Sequence, residues 1–255
     1  MKLDFTGKNV LVIGGTGGLG SVISEAFRDL GATVCATGHQ SLSIRTTPSV
    51  DGVSIGQAET DRKISMDITD IASVRNSVNL LTEYFKGRLD ILVNCAGVNV
   101  REPIEQLDYS TFDSIQKVNT YGAVFVTKEF LPLLKKSTAG RIIHITSIFS
   151  KLVYQNRCSY SISKAGLLQL VRTAALEFSK FGITVNSISP GPMLTEINKK
   201  VIKDKSSYEE FIRHIPLGRF GDPSEIIMPI LMLASVGGGY ITGTDILVDG
   251  GWSLL

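Results

Sequence analysis

The chain has 255 residues, a formal net charge of +2 and 20% charged residues, with no run of five like charges, so nothing calls for a nucleic-acid or membrane-surface partner. That length suits one large α/β domain or two small ones. The N-terminal apolar run is too short for a signal peptide and no segment offers eighteen uninterrupted apolar residues, so a cytoplasmic protein is expected.

Cys35, Cys95 and Cys158 are far apart and odd in number, and read as reduced, mostly buried thiols. His39, His144 and His214 are equally scattered. No structural metal is expected from them.

Asn9 to Ile13 is a short β-branched apolar run that reads as a buried parallel strand. Gly14-Gly15-Thr16-Gly17-Gly18-Leu19-Gly20 follows at once, and Leu19, Val22, Ile23, Ala26, Phe27 and Leu30 then keep helical spacing up to Gly31, a C-cap candidate. Strand, glycine turn and helix in that order make a phosphate cradle, because glycines admit the backbone to a pyrophosphate and the helix N-terminus offers free N–H groups. The register stays open: Gly15, Gly17 and Gly20 satisfy G-x-G-x-x-G, whereas Gly14, Gly18 and Gly20 satisfy G-x-x-x-G-x-G.

Thr33 to Thr37 is the second strand, and Gly38-His39-Gln40 after it holds no carboxylate to bind a ribose 2′-hydroxyl. His39 with Arg45 is available to face a 2′-phosphate, so NADP is the expected cofactor and NAD the fallback; His39 reads equally as an ordinary loop residue. Over 40–62 the period is lost, and an irregular crossover is expected.

Lys63 to Met66 resumes as a strand, with Asp67-Ile68 at the sheet edge where an adenine would lie. Ile71 to Phe85 is an amphipathic helix with Asp70 as N-cap. Asp90 to Val93 is a fourth strand running into Asn94-Cys95-Ala96-Gly97, whose small residues permit close approach to a ligand. The spacing predicts one long helix over Thr111 to Lys136, with Asn119 in its interior. If buried there, Asn119 needs partners, an ordered water being one.

Arg141 to Thr146 is a strand ending at Ser147. A loop follows, then a long helix whose start carries Tyr160 and Lys164 on one face. A nearby ammonium lowers a phenol's pKa, and a phenol so tuned exchanges a proton with a substrate oxygen that a serine also holds. Thr184 to Ser189 is another strand, broken by Pro190-Gly191-Pro192. Met193 to His214 holds helix-like pieces rich in Lys and Glu that suit a lid over the substrate, at about 191–215. Pro223 starts a helix through Ser235, and Asp245 to Val248 is the last strand. The alternation predicts a single α/β domain with a seven-stranded, doubly wound parallel sheet, helices on both faces.

With these pieces in order the chain resembles the classical short-chain dehydrogenase/reductase family over essentially its full length. The resemblance rests on Gly14-x-x-x-Gly18-Leu19-Gly20, Asp67, Asn94-Cys95-Ala96-Gly97, Asn119, Ser147, Tyr160-x-x-x-Lys164, Asn186, Pro190-Gly191, Thr195 and Asp249-Gly250-Gly251. It implies a Rossmann fold and a hydride transfer between nicotinamide C4 and the carbon bearing the substrate oxygen. Tyr160 would be the general acid/base, with Lys164 lowering its pKa and holding the nicotinamide ribose. Ser147 would orient the substrate oxygen, and Asn119 would hold a water linking Lys164 to solvent.

The cofactor would lie along Gly14, Thr16, Gly17, Gly18, Leu19 and Gly20, then Gly38, His39, Asp67 and Ile68. It would continue past Asn94, Ala96 and Gly97 to Tyr160, Lys164, Pro190, Gly191, Met193 and Thr195. Two departures, Ile13 for a threonine and Cys95 for an asparagine, imply altered support of the cofactor loop.

Asn99 to Pro103, Leu194 to Lys199 and Gly218 to Pro223 are similar to gluconate 5-dehydrogenases and related sugar-acid or polyol enzymes. In that setting Arg101 would pair with a substrate carboxylate; it reads equally as an exposed loop residue. The competing expectations are a 3-oxoacyl-thioester (acyl-carrier-protein) reductase and a non-catalytic NADP-binding regulator. The helix bearing Leu167 to Phe178 is apolar on more than one face, as is Ala123 to Leu134, and a homotetramer is expected, or a dimer.

Overall fold

The computed structural model describes residues 3–38 and 61–255. His39, Arg45 and the crossover expected over 40–62, except its last two residues, lie outside the described residues. Seven parallel strands form one sheet in the order β3-β2-β1-β4-β5-β6-β7. They are β1 (Asn9–Ile13), β2 (Thr33–Gly38), β3 (Asp61–Ser65), β4 (Ile91–Asn94), β5 (Arg141–Ile145), β6 (Thr184–Pro190) and β7 (Asp245–Val248).

Because side chains alternate along a strand, β1 feeds two cores at once. Leu11 and Ile13 pack with α2 (Ile71–Tyr84), α4 (Gly122–Glu129) and α6 (Cys158–Phe178) on one face. Val10 and Val12 pack with α1 (Gly18–Asp29) and α9 (Ile227–Ala234) on the other. Strand order reverses between β1 and β4, and such a switch opens a crevice at the carboxyl ends of the strands.

The local signals read from the sequence end these elements where physics requires. Gly31, at φ +88°, follows the end of α1 in the left-handed region that stops a helix. Asp70 caps α2 by accepting from the Ala72 N–H.

The long helix expected over Thr111 to Lys136 is instead broken. It runs as α3 (Tyr109–Gln116), a π-turn over Lys117–Tyr121, α4, and α5 (Leu131–Leu134) with Pro132 in its first turn. The π-turn widens the ladder at Asn119, and Pro132 lacks the N–H that would continue the earlier ladder.

The lid expected near 191–215 forms α7 (Lys199–Lys203) and α8 (Lys205–Arg213). It is less polar inside than its Lys and Glu suggested. Val201, Phe211 and Ile215 join Ile148, Phe149, Phe220 and Trp252 in a third apolar cluster, against which Tyr160 packs.

Candidate active site

The glycine turn sits at the end of β1. A Cβ on Gly20 would lie 2.1 Å from the Gly14 carbonyl oxygen, so α1 meets the strand only because that position carries hydrogen alone. Gly14 itself stands at φ +71° and Gly18 at φ +52°. Above Gly17 and Gly18 the space is open, no side chain caps α1, and no acid occupies its first turn. Uncapped N–H groups facing open space over close-packed glycines fit a dinucleotide pyrophosphate. Thr16 is half-buried in the same turn, and Leu19 reaches the cavity described next.

That cavity encloses about 110 Å³ at the ends of β5 and β6. Of the residues singled out in the sequence, Ser147, Tyr160, Lys164 and Gly97 line one part of it. Pro190, Gly191, Met193 and Thr195 line another. Gly191 presses on Asp249, where a Cβ would come within 2.8 Å of the Asp249 Cα.

Other predicted positions lie off the wall of this cavity. Asn94 is buried; its amide reaches His144 Nδ1 at 3.3 Å and its oxygen accepts from the Ala96 N–H at 3.2 Å. Gly38 accepts from the Met66 N–H at the end of β2. Asp67 accepts from the Thr69 N–H and hydroxyl, and Ile68 is buried against Gly122. Arg101 is not on the cavity wall; its guanidinium stacks 5.2 Å from the centre of the Phe211 ring.

Burial raises the pKa of Tyr160, whereas a hydrogen bond with the Ser147 hydroxyl and the charge of Arg157 pull it down. Arg157 is thus a second cation beside the phenol. Lys164, the cation expected from the sequence, donates to the Ile145 carbonyl at 2.9 Å, with Nζ 5.8 Å from the centre of the Tyr160 ring. Burial lowers the Lys164 amine to about 8, with Cys95 working weakly the other way. Reciprocally, burial pushes the Cys95 thiol up to about 12, so it stays protonated beside that amine. Ile13, the other departure, is core.

Asn119 is buried in the π-turn. Its oxygen accepts from the Val98 N–H at 2.8 Å, and its amide donates to the Val98 carbonyl and to Ser163 Oγ, each at 2.9 Å. Its side chain therefore staples the loop after β4 onto α6.

Sequence reasoning missed Arg157, which is 3% exposed and lines the same cavity. The one signal was a cation three residues before the tyrosine. Among the described residues no His, Cys, Asp and Glu group could hold a metal ion, and no helix is long and apolar enough to cross a membrane.

A family model described as enoyl-(acyl carrier protein) reductase, one of the short-chain dehydrogenase models, matches residues 14–253. The chain belongs to the short-chain dehydrogenase/reductase family. It is 33% identical over 268 residues to a ribulose-forming D-arabinitol 2-dehydrogenase of Scheffersomyces stipitis, covering 98% of this chain and 95% of that one. It is 28% identical over 249 residues to the 3-oxoacyl-[acyl-carrier-protein] reductase FabG of Vibrio harveyi, covering 98% of each. A gluconate 5-dehydrogenase of Burkholderia cenocepacia, solved with NADP and tartrate, superposes with a TM-score of 0.88 over 99% of this chain and 98% of that one. At 22% identity that likeness speaks for the fold. As a member of the short-chain dehydrogenase/reductase family the chain is an NAD(P)-dependent oxidoreductase acting on CH–OH/C=O groups.

Proposed function

We propose that the enzyme interconverts a secondary alcohol and a ketone on a polyol or sugar acid, with Tyr160 as general acid/base and NADP as preferred cofactor. The observation that carries this is the Ser147 hydroxyl beside the Tyr160 phenol on the wall of the cavity that Lys164 also lines. The arabinitol 2-dehydrogenase relative supports the polyol class. The absence of a carboxylate from Gly38-His39-Gln40 supports NADP.

A bound nicotinamide dinucleotide supplies the hydride acceptor or donor. In the oxidative direction the substrate hydroxyl loses its proton to the Tyr160 oxygen as its carbon loses a hydride, leaving a ketone. In the reductive direction Tyr160 returns that proton to the carbonyl oxygen. Ser147 donates to the same oxygen and fixes its position. Lys164, a buried cation fixed by Ile145, offers its remaining N–H groups to the nicotinamide ribose. Asn119 fixes the loop that carries Gly97 and Val98, and the segment 191–215 closes over the substrate.

Coupled assays with 5-ketogluconate, D-arabinitol and an acetoacetyl thioester test the substrate class. The FabG relative favours the thioester as a second reading, and turnover of the thioester alone would replace the first. Tyr160→Phe is expected to abolish turnover while cofactor still binds; undiminished turnover removes Tyr160 from its role. Difference spectra with NADPH and NADH decide the cofactor. Exposed Tyr121, Val124, Ile162 and Leu176 on the π-turn, α4 and α6 support a homotetramer, which light scattering measures.

A further inference from the structure

Arg157 directly precedes α6, three residues before Tyr160, and is buried. Buried guanidinium groups are ordinarily paired, since an isolated charge out of water is costly. Here neither Nε nor Nη1 has a hydrogen-bond partner among the described residues. Glu102 forms a backbone bridge with Arg157, but its carboxylate accepts from the Ser159 hydroxyl at 3.0 Å.

The other neighbours of the guanidinium deepen the imbalance. It lies 5.4 Å from the centre of the Phe149 ring, with the Tyr154 and Tyr160 phenols and a second cation, Arg101, nearby. Burial and the like charge of Arg101 bring it down to about 10, which leaves it charged at neutral pH. On the same cavity wall the amide oxygen of Asn99 is buried and without a partner.

An unpaired cation and an unpaired acceptor beside a catalytic hydroxyl define what is missing: an anion and a hydroxyl donor on one small molecule. We propose that Arg157 is the anion-binding residue of the substrate site, taking a carboxylate that the substrate carries within a few carbons of its reacting carbon, while Asn99 accepts from a substrate hydroxyl. A guanidinium fork matches the two oxygens of a carboxylate. One buried cation balances the single negative charge of a carboxylate, and Arg101, the second cation nearby, is turned onto Phe211. The proposal rests on the oxidoreductase reading above and narrows its substrate to a hydroxy or keto acid.

The test is calorimetric titration of 5-ketogluconate, D-fructose and fructose 6-phosphate into native enzyme saturated with oxidised cofactor, a mixture in which a ketone cannot turn over. In Arg157→Gln the dissociation constant for the keto acid is expected to rise roughly 10- to 100-fold, with partial recovery in Arg157→Lys. Binding of D-fructose is expected to stay within about threefold. Without ligand, Arg157→Gln is expected to melt at or above the native temperature, because an unpaired buried charge stabilises nothing.

Equal losses for acid and neutral ketose, a lower melting temperature without ligand, or no binding of the keto acid by native enzyme would each overturn the proposal. So would dependence on Arg157 for the phosphate ester alone. Because no turnover is read, an enzyme that binds the acid through Arg157 yet does not reduce it contradicts only the proposed reaction.

Discussion

Asn119 holds Val98 at both backbone groups, accepting from its N–H at 2.8 Å and donating to its carbonyl at 2.9 Å. Removing that side chain leaves the Val98 N–H and carbonyl without their partner, whereas Ser163 Oγ still donates to the Tyr160 carbonyl at 2.7 Å. Asn119→Ala is expected to cost about 1–3 kcal/mol of unfolding free energy in urea melts. A loss below about 0.5 kcal/mol would show that water replaces the staple readily.

The Lys164 amine makes stability depend on alkaline pH. Its folded pKa of about 8 lies below the 10.5 of an unfolded lysine, so between these values the unfolded chain binds more protons and stability rises with pH. The full effect is worth about 3 kcal/mol. Lys164→Met is expected to be as stable near pH 7 as the native chain or more so, and to lose the gain seen on moving to about pH 9.5. Parallel slopes in the two proteins would refute this.

His144 acts at the other end of the scale. Burial holds it down at about 3, against 6.5 for a free imidazole, and its ring bonds Asn94 and Thr127. Between those values only the unfolded chain takes up the proton, so stability falls as pH falls. His144→Gln is expected to flatten the stability profile from about pH 6 down to about pH 4, measured by urea melts.

Two glycines of the turn are expected to separate folding from cofactor binding. Gly20→Ala forces a Cβ against Gly14 and is expected to lower the melting temperature and cofactor affinity together. Gly17→Ala meets no atom within 4 Å and has an extended backbone. It is expected to melt like the native protein while its affinity, read by NADPH fluorescence, falls at least about tenfold, since the methyl enters the space a pyrophosphate would fill.

Most of the sheet was legible because β1, β4, β5 and β7 are short, largely apolar runs closed by glycine or a polar turn, and Asp70 and Gly31 mark helix ends on their own. The break near Asn119 was not. Helical spacing continues through GAVFVTKEFLPLLKK, and a single widened turn leaves no trace in residue type. Tyr160 and Lys164 were legible as a spacing, but their electrostatics were not. The Lys164 amine is held by the Ile145 carbonyl, and Arg157 lies against Phe149 in a cavity that Met193 and Phe211 also line. Those contacts join residues far apart in the chain.

A π-turn spends one extra residue per circuit, and each residue turns an α-helix by about 100°. The extra residue within Lys117–Tyr121 therefore lets Asn119 face Val98 while Ala123, Val126 and Thr127 face the sheet. Excising a single residue there would rotate the downstream apolar stripe off its strand partners, so this helix tolerates exchange of its letters far better than a change in their number.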